Sequence, residues 1–280
     1  MLGALIIVFR EVIEAGLIVG IVLAVTQGMR GSRSVIAAGV ASGVAGATLI
    51  AAFAGAIAEA LAGIGQEIFN ASILLIAVVM LIWHNVWMAG HGRELAADVK
   101  RVGEAVRTGS RSVVALGVVC AVAVMREGSE IALFMYGLAA SAGSTTAELL
   151  IGSLLGLAAG VGVTALTYFG LVTIPQRRLF AVTTALISLL AAGLAAQAVL
   201  FLQQAGVLTM LSQTAWDTSA ILSDTSLFGR VLHTLIGYSD QPSVLQVVVY
   251  CATLAVIVVL TKVFGPRRTP AVKARRAAAG

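Results

Sequence analysis

The chain has 280 residues, of which 59% are hydrophobic and only 11% are charged. A soluble domain carries about twice that charged fraction, so a soluble globular protein is excluded and most of the surface is expected to face lipid. The formal net charge of +5 comes from basic residues between and after the apolar segments, which indicates anchoring at anionic lipid and argues against nucleic-acid binding.

Seven apolar segments predict transmembrane helices, because about 20 apolar residues are enough to span a bilayer. Their continuous apolar runs lack the two-residue alternation of a membrane β-barrel. We therefore predict an all-α, multi-pass domain over residues 1–265 and a basic cytoplasmic tail over residues 266–280. The predicted helices span residues 2–28, 34–62, 68–90, 112–140, 147–172, 178–203 and 244–265, and an outer loop at 204–243 precedes the last of them.

The first predicted helix carries an R-E-x-x-E motif, with Arg10, Glu11 and Glu14. A charged side chain near the bilayer centre costs several kcal/mol, so such residues are rare and usually functional. Residues three and four apart share a helix face, so the two carboxylates point the same way and Arg10 lies beside Glu14. Residues 1–9 lack the basic stretch and cleavage site of a signal peptide, so we expect this helix to be retained.

The third predicted helix carries a polar pair near its inner end. His84 and Asn85 lie between two tryptophans, and Met88 follows one turn on. These residues could form a secondary metal site or proton relay near the inner end of a transport path. The alternative, which the composition favours, is a polar contact between helices among aromatic side chains at the membrane boundary.

The fourth predicted helix repeats the motif as Arg126, Glu127 and Glu130, 116 residues after the first copy. The same shift places predicted helices one to three roughly on helices four to six. Because three is an odd number of crossings, the second copy enters from the opposite face, as in inverted-repeat transporters. We predict repeat one at about 2–90 and repeat two at about 112–203, with the seventh helix as an addition.

The two motifs are predicted to form one site, since both lie at similar depth on antiparallel helices. Four carboxylates and two guanidiniums leave a surplus of negative charge. Oxygen ligands suit a hard ion, namely Mg²⁺, Ca²⁺, Mn²⁺ or iron, especially Fe³⁺. Buried salt bridges that only fix helix packing are the alternative, but they would leave carboxylates uncompensated. The register predicts that Arg10 faces Glu130 and that Arg126 faces Glu14.

The positions of the basic residues predict the orientation of the chain. Fifteen of the 18 lysines and arginines fall in predicted loops one, three and five and the tail, or at the helix ends beside them. The positive-inside rule then places the N-terminus outside and the C-terminus inside. Loop three could form an amphipathic helix on the cytoplasmic membrane surface. In the outer loop, Asp217 and Asp224 could belong to a secondary metal path, or could be solvated charges on a lid.

The chain resembles the oxidase-dependent iron transporter family, which includes fungal high-affinity iron permeases and bacterial EfeU-type permeases. Members have seven helices with R-E-G-x-E in the first and fourth. The resemblance runs from FREVIEAGLIVGIVLAV through MREGSEIALFMYG to WDTSAILSDTSLFGRVLHTLIGY. One departure is Val12, which stands where the family often has glycine and makes close helix approach on that turn less expected.

The resemblance implies that the chain imports iron across the cytoplasmic membrane and holds no permanent cofactor. It also implies a partner outside the cytoplasm, either an oxidase or peroxidase or an iron-binding protein. By the same resemblance, iron is carried by the glutamates of both motifs, with the arginines in support: Glu11, Glu14, Glu127 and Glu130, with Arg10 and Arg126.

Two alternatives to an iron permease are a transporter of another hard divalent cation and a haem or redox membrane protein. Only one histidine, His84, is clearly within a predicted helix. A haem held by two histidines within the helices is therefore not favoured. The sequence also lacks a nucleophile elbow, a zinc-protease motif and a phosphate-binding glycine loop where they would be needed. The prediction is therefore a permease and not an enzyme.

Overall fold

The computed structural model describes residues 1–29, 31–60, 66–110, 112–140, 145–170, 176–224 and 226–264. Within these residues the protein forms eight α-helices and no β-strand, which confirms the predicted all-α class for this part of the chain. The helices are α1 (Leu2–Val25), α2 (Ser32–Ala60), α3 (Gln66–Arg107), α4 (Val113–Ala140), α5 (Thr146–Tyr168), α6 (Gln176–Gln204), α7 (Leu227–Ile236) and α8 (Val244–Phe264).

Most of these helices are suited to a bilayer. Five of them, α2, α3, α5, α6 and α8, contain segments long and apolar enough to cross a membrane. Helices α1 and α4, with 24 and 28 residues, also have the length, but each carries the three charges of its motif. Large apolar side chains such as Phe53, Val79 and Leu154 stand exposed, as expected where the solvent is lipid. The chain is a multi-pass membrane protein.

Helix α3 is much longer than its predicted span of residues 68–90. Its 42 residues run through the predicted third loop to Arg107, a length of about 63 Å at 1.5 Å per residue. That loop contains no proline and is rich in alanine, glutamate and arginine, which favour helix, so nothing ends α3 at residue 90. The predicted membrane span agrees with the apolar segment Glu67–Trp87. The α-helix continues beyond that span, which confirms the predicted helical character of loop three.

The extension of α3 packs onto its neighbours. Val99 and Val106 are buried against Ile18 and Val22 of α1 and Leu116 of α4. We call this group the lower apolar cluster. Along α1 it follows the first motif, and along α4 it precedes the second, so it lies on the predicted cytoplasmic side of both.

A second group, the upper apolar cluster, lies on the other side of the motifs. It joins Ile7 of α1, Leu74 and Leu81 of α3, Phe134 of α4 and Leu194 of α6 with their neighbours. Along α1 it precedes the first motif, and along α4 it follows the second. The charged motifs therefore lie between two apolar layers.

Glycines bring α1 close to α5 and α2 close to α4. A Cβ atom on Gly160 of α5 would lie 2.8 Å from Val12 Cγ1, so the bulk of Val12 fills the notch that this glycine leaves. At the second motif the arrangement is reversed: the motif carries the glycine, Gly128, and the facing helix α2 carries the larger residue, Ala47. A Cβ on Gly128 would lie 2.6 Å from Ala47 Cβ. Close packing thus survives the departure at Val12, since a glycine on the facing helix compensates for it.

We expect Gly156→Ala to destabilise the protein. The added methyl would lie 2.6 Å from the Leu5 carbonyl oxygen and 3.0 Å from the Phe9 nitrogen, and backbone atoms cannot move aside cheaply. Overpacking of this kind costs about 1–3 kcal/mol, which lowers the unfolding midpoint by about 5 °C. Thermal unfolding in detergent measures the change. Gly162→Ala is the matched control, because nothing lies within 4 Å of its added methyl; equal midpoints for the two variants would contradict the packing described.

The segment between α6 and α8 is tied together by its own polar groups. The backbone N–H of Asp224 donates to Asp240 Oδ2, and that of Asp240 donates to Asp224 Oδ1, both at 3.1 Å. The segment contains the short helix α7. At its end, Ser243 and Gln246 form a reciprocal capping box that begins α8.

The two aspartates predicted for a secondary path have different surroundings in this segment. Hydrogen bonds from the hydroxyl and N–H of Ser219, and one from Gln241, hold the pKa of Asp217 below its usual value. Burial raises the pKa of Asp224. Both carboxylates therefore have structural partners within the outer segment, and their part in a metal path stays a prediction.

Candidate metal centre

The two R-E-x-x-E motifs meet in the interior, where α1 packs against α4. Arg10, Glu11, Glu14 and Glu127 are all buried. The second motif is the more open of the two, since the side chain of Arg126 is 34% exposed. This geometry agrees with the prediction that both motifs lie together in the interior.

Each arginine pairs with the glutamate one turn further along its own helix. Arg10 Nε lies 2.8 Å from Glu14 Oε1, and Arg126 Nε lies 3.2 Å from Glu130 Oε1. The predicted crossed contacts, Arg10 with Glu130 and Arg126 with Glu14, are therefore wrong among the described side chains. A side chain three or four residues away on the same helix is within easy reach, and a residue of a third helix occupies the space between the motifs.

That residue is His84 of α3. Its Nδ1 contacts Glu130 Oε2, while its Nε2 lies 3.4 Å from Glu14 Oε2 and 3.8 Å from Glu11 Oε2. The ring is 3% exposed. His84 thus contacts carboxylates from both motifs, and the interhelical contact that the sequence favoured lies at the centre of the site.

The sequence placed residue 84 near the inner end because the apolar segment of α3, Glu67–Trp87, ends shortly after it. The packing of α3 against α1 and α4 brings the ring between the two motifs. No periodicity within α3 specifies these neighbours, so the sequence carried no signal for them.

Four side chains could hold a metal ion together. Glu11, His84, Glu127 and Glu130 each offer one ligand atom, and these atoms all lie within 4.8 Å of one another. Three of the four predicted glutamates are in this group. The fourth, Glu14, lies beside it and is bound by Arg10.

Several carboxylate oxygens in this centre are buried without a hydrogen bond. Both oxygens of Glu11 and the Oε2 atom of Glu127 receive none from any described group. Leaving an ionised carboxylate buried and unpaired is costly, so native proteins pair such groups, neutralise them or bind a metal with them. The centre has the donors and the charge that a cation requires.

A cavity connects His84 with the outside of the helix bundle. Its volume is about 370 Å³, and it is lined by Val79, Met80, Trp83, His84, Trp87, Arg126 and Glu130. Arg126 stacks on the Trp87 ring at 4.3 Å from the ring centre, a favourable cation–π contact. The centre is therefore open on the side between α3 and α4 and is covered by the apolar clusters above and below.

Two other residues of the predicted secondary path belong to α3. Asn85 is 1% exposed, and neither polar atom of its amide has a hydrogen-bond partner among the described groups. The side chain of Met88 lies outside the described residues. The role of both in a path stays a prediction.

Comparison with known proteins identifies the family. The model of the iron permease FTR1 family matches residues 1–267. The chain is 35% identical over 186 residues to the ferrous iron permease EfeU of Shigella flexneri, an alignment that covers 66% of this chain and 78% of that protein. It is equally similar to the ferrous iron permease EfeU of Escherichia coli O157:H7, of which 67% is covered. No solved structure matches. The chain belongs to the iron permease FTR1 family.

Proposed function

We propose that the protein imports iron across the cytoplasmic membrane through the centre formed by Glu11, His84, Glu127 and Glu130. The observation that carries this proposal is the convergence of carboxylates from both motifs, with buried oxygens that no described group satisfies. Family membership supports iron as the cargo. The relatives are named as ferrous iron permeases, which favours Fe²⁺ over the Fe³⁺ suggested by carboxylates alone.

The charge of the centre also favours a divalent ion. Metal ligands bind in their deprotonated forms, so in the ion-loaded centre four carboxylates, two guanidiniums and a neutral imidazole sum to −2. One Fe²⁺ brings the sum to zero, so the ion and the centre together place no net charge in the membrane interior. The arginines hold Glu14 and Glu130 in position through charge-assisted hydrogen bonds.

The transport cycle we propose uses seven membrane-spanning helices, α1 to α6 and α8, with the N-terminus outside. The first helix of each predicted repeat packs against the second helix of the other, α1 with α5 and α4 with α2. This exchange of partners is what an inverted repeat requires and supports one. Rocking of the two repeats would open the upper and the lower apolar cluster in turn, as alternating access demands.

We also propose a partner outside the cytoplasm that delivers iron, either an oxidase or peroxidase or an iron-binding protein. The outer segment is the surface that such a partner would meet, since it precedes α8 on the predicted outer side. Trp216 and Ile221 are exposed there, as is Asp217.

Glu11→Gln is expected to lower the initial rate of Fe²⁺ entry into proteoliposomes by about 100-fold, because an amide cannot supply the anionic oxygen of a metal ligand. Glu67→Gln is the matched control, since Glu67 lies exposed in the first turn of α3. It should transport like the native chain. Native rates in Glu11→Gln would overturn the proposed function.

A further inference from the structure

We propose that His84 is a metal ligand, and that its imidazole makes the centre select a first-row transition-metal dication over Mg²⁺ and Ca²⁺. This inference rests on the proposed function, since it concerns the same centre. The motifs themselves supply only oxygen donors, so the nitrogen comes from a helix outside both motifs. His84 would then be the residue that sets the chemical class of the cargo.

The first argument is the position of the ring. Nδ1 contacts Glu130 of the second motif, and Nε2 lies 3.4 Å from Glu14 of the first. The ring therefore bridges the two halves of the centre. Leu81, one turn earlier on α3, is fully buried in the upper apolar cluster, which anchors the backbone that carries the imidazole.

The second argument is the size of the ligand group. A tetrahedral ion with bonds of about 2.1 Å keeps its ligand atoms about 3.4 Å apart. The ligand atoms of Glu11, His84, Glu127 and Glu130 lie within 4.8 Å of one another, so side-chain movements of about 1 Å complete the shell. The cavity between α3 and α4 is lined by His84 and Glu130, so it leaves space beside two of the proposed ligands.

The third argument is ligand chemistry. Centres built only from carboxylates, carbonyls and water suit Mg²⁺ and Ca²⁺, whereas imidazole suits transition metals such as iron, nickel, copper and zinc. One nitrogen among three carboxylates therefore shifts preference away from the alkaline-earth ions while keeping the charge balance of a dication. If His84 only linked Glu14 to Glu130 structurally, any hydrogen-bonding side chain would serve. Glutamine should therefore be able to replace His84 as a structural link, but not as a metal ligand.

The first experiment is spectroscopic and does not depend on transport. The purified full chain is loaded with Mn²⁺, and pulsed electron paramagnetic resonance detects imidazole ¹⁴N coupled to the ion. The chain has three histidines, so the variant His91→Gln/His233→Gln leaves His84 alone. We expect the ¹⁴N coupling to persist in that variant, to be replaced by ¹⁵N coupling in native protein grown on ¹⁵N-histidine, and to vanish in His84→Gln.

His233→Gln is the matched single control, because the His233 ring contacts the Tyr238 carbonyl oxygen in the outer segment, away from the motifs. Absence of nitrogen coupling in the native complex, or its persistence in His84→Gln, would overturn the assignment. Failure of the native chain to bind Mn²⁺ would overturn it too. If His84→Gln does not fold, the His91→Gln/His233→Gln variant and the isotope exchange still decide the question.

The second experiment measures selectivity in proteoliposomes. Excess Mg²⁺ or Ca²⁺ competes with Fe²⁺ entry, and we expect half-inhibition of His84→Gln at a concentration about ten-fold lower than for the native chain and for His233→Gln. Unchanged competition would contradict the selectivity role. Retained entry in Glu11→Gln would instead count against the proposed function, whatever the His84 variant does, so the two failures are distinguishable.

Discussion

Arg10→Leu is expected to lower the thermal stability of the protein far more than Arg126→Leu. Arg10 is 1% exposed and stands 2.8 Å from Glu14, so its loss leaves buried carboxylates without their cation. Removing one partner of a buried pair costs about 3–5 kcal/mol. Arg126 is 34% exposed and also stacks on Trp87, so solvent and neighbours reduce the cost of its loss.

Thermal unfolding of the purified variants in detergent measures this difference. The double variant Arg10→Leu/Glu14→Leu is the control, because it removes both partners and leaves no new unpaired charge at that pair. It should recover part of the stability that the single variant loses, because Glu11 Oε1, 3.9 Å from Arg10 Nη1, still loses its cation. Equal losses for Arg10→Leu and Arg126→Leu, or no recovery in the double variant, would contradict the pairing within helices.

Glu127→Gln and Glu14→Gln are expected to separate the ligand role from the supporting role. Glu127 belongs to the four-atom group and has a buried oxygen without a hydrogen bond. Its replacement should reduce Fe²⁺ entry by about 100-fold and raise the unfolding midpoint, since a buried carboxylate disappears whose cation, Arg126 Nε, is 3.9 Å away. Glu14 is held by Arg10 outside the group, so its replacement should reduce entry by about ten-fold and lower the midpoint.

Initial rates in proteoliposomes and unfolding midpoints in detergent, taken on the same preparations, test this pair. The opposite signs of the two stability changes are the decisive feature. If both variants lose the same activity and shift stability in the same direction, the four glutamates act as equals, as the sequence alone suggests, and the division between ligand and support is wrong.

The sequence predicts the motifs and their meeting well, because charges in apolar helices are rare and helix periodicity fixes which of them share a face. Glu11 and Glu14, three residues apart, had to point the same way. The ion pairs between helices were not predictable in the same manner. Arg10 can bind a glutamate on its own helix or one on the facing helix, and only the packed structure decides between the two partners.

His84 shows a different limit. Its chemistry was visible in the sequence, but its neighbours depend on how α3 packs against α1 and α4. The apolar segment Glu67–Trp87 ends shortly after His84, so the sequence favoured a boundary contact, whereas the packed helices bring the ring to both motifs. The contact between Gly160 and Val12 was likewise not predictable from the sequence. Which glycine faces Val12 depends on how α1 packs against α5.

The central claim is that the transported ion sits between the two motifs. An anomalous difference map at the iron absorption edge, from crystals of the full chain grown with Fe²⁺ under reducing conditions, tests it most directly. The account predicts one peak about 2.1 Å from oxygens of Glu11, Glu127 and Glu130 and from a nitrogen of His84. Iron bound instead at Asp217 or Asp224 of the outer segment, with none between the motifs, would contradict it.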